Sequence, residues 1–217
     1  MAEGYARETG KLGVCCATTG PGSTNLLTGI ASAYADNVAM LVITAQTPLP
    51  KFGRNALQES SCTAIDTVAI FRHCTRYSTL ISHTEQMNTK MIAAIMAANR
   101  TPNGPVHISI PSDILRQKAH CGSKINIDRI VQNFTLTDNQ AVDKLTDMLQ
   151  NSWRVALFLG KGCGSAVTEI LEFSDLTHAP LVSGPAGKRW VDGFHKRNRG
   201  VYGFAGHQSA QETMEDE

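Results

Sequence analysis

The stretch that decides the fold is Leu12–Asn25, which reads LGVCCATTGPGSTN. Its first part, Leu12–Thr19, is a short apolar run, and a run of this kind bounded by turn residues predicts a buried strand. A Gly-Pro-Gly turn follows, after which Ser23 or Thr24 is placed to cap a helix. The stretch therefore predicts a strand that passes through a glycine turn into a helix, as in an α/β fold.

The same alternation of strands and helices continues along the chain. Apolar runs predict further strands at Ala39–Ala45, Thr75–Ile81, Pro105–Ile110, Arg154–Leu159 and Pro180–Ser183. Apolar residues at helical spacing predict helices at Ile65–Phe71, Thr84–Arg100, Asp138–Asn151 and Ala166–Leu176. Because strands that alternate with helices form parallel sheets, we expect an α/β fold with two consecutive three-layer parallel-sheet domains.

The domain boundary is predicted where this periodicity disappears, between Ser112 and Thr137. We expect a first domain at residues 1–117, a linker at residues 118–137 and a second domain at residues 138–217.

Composition excludes several classes of function. The chain of 217 residues has a net charge of +1, which gives no reason to expect nucleic acid or an anionic membrane as a partner. No apolar run approaches the roughly 20 residues of a membrane span, and Met1–Gly10 is too polar for a signal peptide. The 6 cysteines form no Cys-x-x-Cys pair, and the 7 histidines show no metal spacing. Unpaired cysteines favour a cytoplasmic protein, and the basic run Lys196–Arg199 is interpreted as a solvated loop.

The first candidate site is the turn Thr18–Asn25. In parallel sheets, ligands bind at the carboxyl ends of strands, and glycine allows the backbone to approach a ligand closely. The turn has no lysine of the phosphate-binding-loop type, so a nucleoside triphosphate is not expected. A plain strand-to-helix turn stays open as the alternative.

The second candidate site is Gly160–Gly164, which follows a predicted strand and is placed to seat a pyrophosphate on a helix N-terminus. Ser165 stands where the dinucleotide fingerprint has its third glycine, and the strand ending at Ser183 lacks the acidic residue that holds a ribose. A nicotinamide cofactor is therefore not expected, and a structural turn stays open here as well.

Several stretches together resemble one enzyme family. Met1–Arg7 (MAEGYAR), Thr19–Asn25 (TGPGSTN) and Asn103–Pro111 (NGPVHISIP) are similar to three motifs of the thiamine-diphosphate-dependent enzymes of the acetolactate synthase and pyruvate oxidase kind. The similarity continues from Gly160–Gly162 to Gly203–His207, which resemble parts of the family's central domain. The resemblance thus covers nearly the whole chain.

This resemblance implies a fold and a function. The first domain would be a pyrimidine-binding domain and the second a Rossmann-like central domain, both incomplete. The full-length enzyme would use thiamine diphosphate with Mg²⁺ to decarboxylate a 2-oxo acid and transfer the resulting acyl carbanion. It would be a homo-oligomer, a homodimer or tetramer, whose cofactor site is shared between subunits.

The resemblance also implies which residues contact the cofactor. Pro21 and Asn25 would lie near the pyrimidine, and Gln58 matches a family glutamine near the reacting carbon, with a few extra residues after Glu59. The expected cofactor-binding residues are Thr19, Gly20, Pro21, Gly22, Asn25 and Gln58. No catalytic or metal-binding residue is expected, because the family's activating glutamate would precede Met1 and its Gly-Asp-Gly motif is missing. This segment alone is therefore expected to be inactive.

A flavin is the second cofactor that the resemblance raises. The possible nucleotide loop, Gly160, Lys161 and Gly162, would lie under the phosphates of FAD. Flavin-binding relatives carry an arginine two residues before the Gly-Pro that opens the last strand of the first domain, and Pro102 occupies that position here. Because proline offers neither a charge nor a donor, we expect FAD to bind weakly or not at all.

Two other functions stay open at this point. The chain could be a non-catalytic truncated relative that acts as a binding or assembly module. It could also be an unrelated nucleotide-binding α/β protein.

Overall fold

The computed structural model describes residues 1–118, 137–152 and 154–216. The chain divides into two compact units, Met1–Phe134 and Thr135–Glu217. The predicted linker at residues 118–137 lies, apart from its two ends, outside the described residues, so its bounds stay a prediction. No helix in these described ranges is long and apolar enough to cross a membrane.

The first unit is a parallel sheet with helices on both faces. Its helices are α1 (Ala2–Thr9), α2 (Pro21–Asn25), α3 (Leu27–Ala35), α4 (Thr67–Arg72), α5 (Met87–Asn99) and α6 (Ser112–Leu115). Its strands are β1 (Gly13–Ala17), β2 (Met40–Gln46), β3 (Tyr77–Leu80) and β4 (Pro105–Pro111). The strand order is β1-β2-β4-β3, and every pairing is parallel.

Alternate residues of the central strand β2 explain the layers, because successive side chains of a strand point to opposite faces. Met40 and Val42 pack in one core cluster with Ile30 of α3 and Phe71 of α4. Leu41 packs in the other cluster, which includes residues of α5 and α6. The sheet therefore lies between two helical layers, as the alternation of predicted strands and helices indicated.

The second unit contains a smaller parallel sheet. Its strands, in the order β5-β6-β7, are β5 (Leu157–Leu159), β6 (Leu181–Ser183) and β7 (Asn198–Val201). Its helices are α7 (Asn139–Gln150), α8 (Val167–Thr177) and α9 (Gln208–Asp216). The predicted α/β class with parallel sheets is thus confirmed for both units.

Four local predictions were wrong. Strand β1, predicted to be buried, is at the edge of the sheet, and its Val14 is 53% exposed. The run Lys196–Arg199 is not wholly a loop, because strand β7 begins at Asn198. Backbone pairing with β6 holds this strand in the sheet, so it does not depend on apolar side chains. The helix after the glycine turn begins at Pro21 with Gly20 at its N-cap, so neither Ser23 nor Thr24 is the cap. Met96, expected in the core stripe of α5, is 52% exposed.

His107 is a buried histidine in the middle of β4, and both of its ring nitrogens have partners. Its Nδ1 lies 2.9 Å from the Ser78 hydroxyl and its Nε2 lies 2.8 Å from the Thr44 hydroxyl. The Ser78 hydroxyl donates to the carbonyl of Val68, so it accepts from Nδ1–H, and Nε2 then accepts from Thr44. The site thus holds the neutral ring, which also stacks on Phe71. Burial lowers the pKa of His107 to about 4.

We predict that the pH dependence of folding stability reflects this histidine. The unfolded chain binds a proton at His107 as the pH falls below about 6.5, whereas the folded chain resists protonation down to about pH 4. Over that window the unfolding free energy should fall by on the order of 3 kcal/mol. Urea unfolding followed by circular dichroism from pH 7 to pH 4 measures the loss.

The control compares two variants. His107→Gln should lose most of this pH dependence, and His83→Gln, at an exposed histidine, should keep it. Equal pH profiles for the wild type and His107→Gln would contradict the assignment.

Candidate functional site

The carboxyl ends of β1 and β2 lie side by side, because Ala17 at the end of β1 pairs in register with Thr44 of β2. The glycine turn Thr18–Asn25 leaves β1 at this edge, and Gln46 ends β2 at the same edge. Ligands of parallel α/β sheets bind at such an edge. The first sequence-predicted site therefore lies where the fold favours binding.

The backbone of the turn requires glycine at Gly20. This residue has φ 61° and ψ −123°, a region in which essentially only glycine is relaxed. Its carbonyl accepts hydrogen bonds from the backbone N–H groups of Ser23 (3.0 Å) and Thr24 (3.1 Å). Pro21 occupies the first helical position, where its fixed φ is favourable. The turn is consequently rigid, and Pro21 and Asn25 at the two ends of α2 are exposed.

Gln58 lies directly against this turn, although 39 positions separate it from Thr19 in sequence. The Thr19 hydroxyl lies 2.9 Å from the Gln58 carbonyl oxygen. A Cβ atom placed on Gly20 would lie 2.7 Å from the Cβ of Gln58. The structure thus brings all six expected cofactor-binding residues, which also include Gly22, into one neighbourhood. Their role as cofactor contacts stays a prediction.

Gln46 is a site residue that the sequence reasoning missed. Its side chain is 2% exposed, and its carboxamide oxygen accepts from the backbone N–H groups of Thr47 (2.9 Å) and Ser60 (3.2 Å). Its Nε2 has no hydrogen-bond partner among the described residues. An unpaired buried donor costs about 1–3 kcal/mol, and the buried hydroxyl of Ser109 in β4 is in the same state. The available signal was a polar residue ending an otherwise apolar strand.

Glu59 ties down the segment that carries Gln58. Its carboxylate accepts from the backbone N–H of Gly53 and from the hydroxyls of Ser61 and Thr63. These hydrogen bonds, that of Gly53 first, lower the pKa of Glu59 to about 2. The carboxylate is therefore charged at neutral pH and acts as an acceptor for the loop.

The second predicted site behaves differently. Gly160 is the N-cap of a short 3-10 helix, Lys161–Ala166, which contains Lys161 and Gly162. Trp190 donates from its ring nitrogen to the Lys161 carbonyl, and its ring leaves no room for a Cβ at Gly164. A Cβ at Gly160 or Gly162 would meet nothing within 4 Å, so the possible nucleotide loop stays a prediction.

A cavity of about 400 Å³ lies beside strands β6 and β7. Its polar lining comprises Ser183, Lys188, Asn198, Arg199, His207 and Ser209. None of Gly160, Lys161 and Gly162 lines it. Within the described ranges, no group of three or more His, Cys, Asp and Glu residues is arranged to hold a metal ion.

Comparison with known families decides the relationship. The family model for the thiamine pyrophosphate enzyme N-terminal TPP binding domain matches residues 1–70, and that for the thiamine pyrophosphate enzyme central domain matches residues 142–217. The chain belongs to the thiamine pyrophosphate enzyme family. The resemblance inferred from the sequence is thereby confirmed, and an unrelated nucleotide-binding protein is not supported. The first match includes the whole turn Thr18–Asn25 and Gln58.

Similar individual proteins are acetolactate synthases. The acetolactate synthase isozyme 2 large subunit of Escherichia coli (strain K12) is 32% identical over 217 residues, which is 99% of this chain and 38% of that protein. The acetolactate synthase of Arthrospira platensis is 33% identical over 213 residues, covering 94% and 35% of the two chains. The acetolactate synthase 2, chloroplastic, of Nicotiana tabacum is 32% identical over 185 residues, covering 84% and 27%. The chain therefore spans well under half the length of these relatives.

We predict that Gly20→Ala disturbs the turn. Alanine is strained at this positive φ and would collide with Gln58, so the unfolding free energy should fall by about 1–3 kcal/mol. Gly29→Ala is the matched control, because Gly29 is in helix α3 with open space around its Cα. There, alanine should be neutral or stabilise by about 0.5–1 kcal/mol. Thermal unfolding of both variants measures the difference, and a Gly20→Ala protein as stable as Gly29→Ala would refute the constraint.

Proposed function

We propose that this chain contributes the pyrimidine-binding and central domains of an acetolactate synthase-like carboligase that depends on thiamine diphosphate. The full-length enzyme would decarboxylate a 2-oxo acid and transfer the resulting acyl carbanion to an acceptor. The family membership and the names of the acetolactate synthase relatives support this proposal. The observation that carries it is the close contact between the Gly20 turn and Gln58 at the carboxyl edge of the first sheet.

The residues at this edge fit the aminopyrimidine half of the cofactor. Gly20 and Gly22 let the turn pack closely against its own neighbours, since a Cβ at Gly20 would collide with Gln58 and a Cβ at Gly22 with Thr18. Gln46 offers a buried donor that lacks a partner among the described residues. A flat ring with several nitrogen acceptors and donors suits such a surface of backbone and amide groups. Pro21, Asn25 and Gln58 would then bound the ring.

In this proposal the cofactor supplies the electron sink, and the protein supplies binding, orientation and electrostatics. The turn would orient the pyrimidine through its rigid backbone, and the exposed Gln58 amide would face the reacting carbon as a neutral hydrogen-bonding group. No side chain of this chain is assigned as the activating acid. The diphosphate and its Mg²⁺ would be held by another domain of the partner subunit, as the family resemblance implies.

Assembly and location are parts of the same proposal. A cofactor site shared between subunits requires a homo-oligomer, either a dimer or a tetramer. Cytoplasmic residence is proposed from the unpaired cysteines, whereas the tobacco relative is named as chloroplastic. The rival proposal, a non-catalytic assembly module, has no specific structural observation in its favour.

We predict that the 217-residue chain binds thiamine and thiamine diphosphate weakly and with similar affinity. In the proposal this chain contacts only the pyrimidine, and another domain holds the diphosphate. The diphosphate should therefore add little to the affinity. Saturation-transfer NMR detects such binding and shows which ligand protons contact the protein, and these should be the pyrimidine protons. Pyruvate turnover with added cofactor and Mg²⁺ should stay at the level of a no-protein control.

The outcomes separate the alternatives. Saturation transfer to the pyrimidine protons that Gly20→Ala weakens would support the site. No transfer to either ligand would contradict the proposed binding role. Pyruvate turnover above the control would show that this chain carries the catalytic group.

We also predict that flavin adenine dinucleotide binds weakly or not at all. Pro102 stands where flavin-binding relatives have an arginine, so a charge-assisted contact is missing. Such a contact is worth about 1.5–3 kcal/mol, or roughly tenfold or more in affinity. A titration followed by quenching of flavin fluorescence, with a known flavoprotein as positive control, measures it. Saturable binding at micromolar concentration would show that other contacts, in the second unit, compensate for the missing arginine.

A further inference from the structure

We propose that Ser60 and Thr19 are positioning residues that hold the backbone of Gln58 against the Gly20 turn through a relay of hydroxyl groups. The inference rests on the proposed function in one respect, namely that Gln58 faces the reacting carbon. Ser60 lies two residues after Gln58, so its position bears directly on that of Gln58.

The hydrogen atoms of the relay balance in one direction. The backbone N–H of Gly20 donates to the Ser60 hydroxyl oxygen over 3.4 Å. The Ser60 hydroxyl donates to the Thr19 hydroxyl oxygen over 2.7 Å. The Thr19 hydroxyl donates to the Gln58 carbonyl over 2.9 Å. Both hydroxyls also lie near the Gln46 carboxamide oxygen, that of Ser60 at 3.3 Å and that of Thr19 at 3.4 Å. The shorter contacts assign their hydrogens to the relay, which then runs from the turn to Gln58.

Ser60 is itself anchored from two directions. Its backbone N–H donates to the carboxamide oxygen of Gln46 at the end of β2. Its carbonyl accepts from the backbone N–H (3.3 Å) and the hydroxyl (3.1 Å) of Thr67, the first residue of helix α4. Ser60 and Thr67 are each 1% exposed. Because the sheet and a helix both fix Ser60, its hydroxyl is a rigid reference point for the relay.

The orientation of the Gln46 amide follows from the same contacts. Two backbone N–H groups, those of Thr47 and Ser60, point at one atom of the carboxamide. That atom must be the oxygen, since the NH₂ group cannot accept them. Gln46 therefore acts on Gln58 through Ser60, while its own NH₂ group faces no partner in the described part of the chain.

Gln58 consequently has a fixed backbone and an exposed side chain. Its φ is 56°, which is uncommon for a residue other than glycine and persists only where the surroundings hold it. The relay holds its carbonyl, and the Glu59 carboxylate ties the following residues to Gly53. A held backbone that presents a free side chain is the arrangement expected of a residue that contacts a ligand.

The experiment removes one hydroxyl and then restores it. Thr19→Val keeps the volume of the side chain and deletes the relay's last donor, whereas Thr19→Ser keeps the hydroxyl. Thr9→Val is the control, because the Thr9 hydroxyl makes only local bonds at the end of α1, donating to the Tyr5 carbonyl and accepting from the Lys11 N–H. Amide hydrogen exchange by NMR reports the segment Gln58–Ser60, and saturation-transfer NMR reports thiamine binding.

In Thr19→Val, exchange at Ser60 and Gly20 should be at least about tenfold faster, while the core amides of β2 and β4 stay unchanged. Thiamine binding should weaken by roughly three- to tenfold. Thr9→Val should match the wild type in both measurements, and Thr19→Ser should keep the wild-type exchange rates at Ser60 and Gly20. Recovery with serine is the result that a purely packing role of Thr19 would not produce.

The outcomes distinguish this inference from the proposed function. Unchanged exchange at Ser60 and Gly20 in Thr19→Val would overturn the relay, and so would equal impairment of the valine and serine variants. If the wild type does not bind thiamine, the proposed function fails, and the exchange measurements alone still decide whether Thr19 and Ser60 position Gln58.

Discussion

The close approach between the backbone of Gly20 and Gln58 is the constraint on which the candidate site depends. Gly20 adopts a conformation open essentially to glycine alone, and a Cβ there would lie 2.7 Å from the Gln58 side chain. Two segments far apart in sequence therefore meet at the carboxyl edge of the sheet. The parallel pairing of β1 with β2 makes this meeting possible, because it aligns the ends from which both segments leave.

Buried polar groups of the first unit differ in how fully they are hydrogen-bonded. In the core, His107 has a partner at each ring nitrogen, so the polar ring is compatible with a dry interior and needs no function beyond packing. At the edge, the oxygen of Gln46 is paired but its nitrogen has no partner among the described residues. A hydrogen-bonded polar group stabilises the structure, whereas an unpaired buried donor is costly. The hydroxyl of Ser109 in β4 is also buried without a partner among the described residues, so the Gln46 donor by itself does not single out the edge.

Prediction of the fold succeeded where one physical signal dominated. Buried strands such as Met40–Gln46 appear as apolar runs, and the amphipathic or apolar helices appear as periodic patterns. Prediction failed where the local sequence gives only a weak signal for a strand or for the start of a helix. Strand β7 begins at Asn198 within a basic run, and its place in the sheet depends on pairing with β6 rather than on apolar residues. The helix after the turn begins at Pro21 because the glycine geometry, rather than a serine or threonine cap, sets its start.

The sequence by itself determined the α/β class, the glycine turn after β1 and the relationship to thiamine pyrophosphate enzymes, because apolar periodicity and short motifs are local properties of the chain. Only the tertiary structure placed Gln46 and Ser60 beside the glycine turn, and showed a cavity beside β6 and β7 that is not lined by Gly160, Lys161 or Gly162. Thr19 and Ser60 are 41 positions apart. A hydrogen bond over that separation leaves no periodic trace in the sequence, since it exists only once the sheet has aligned the strand ends.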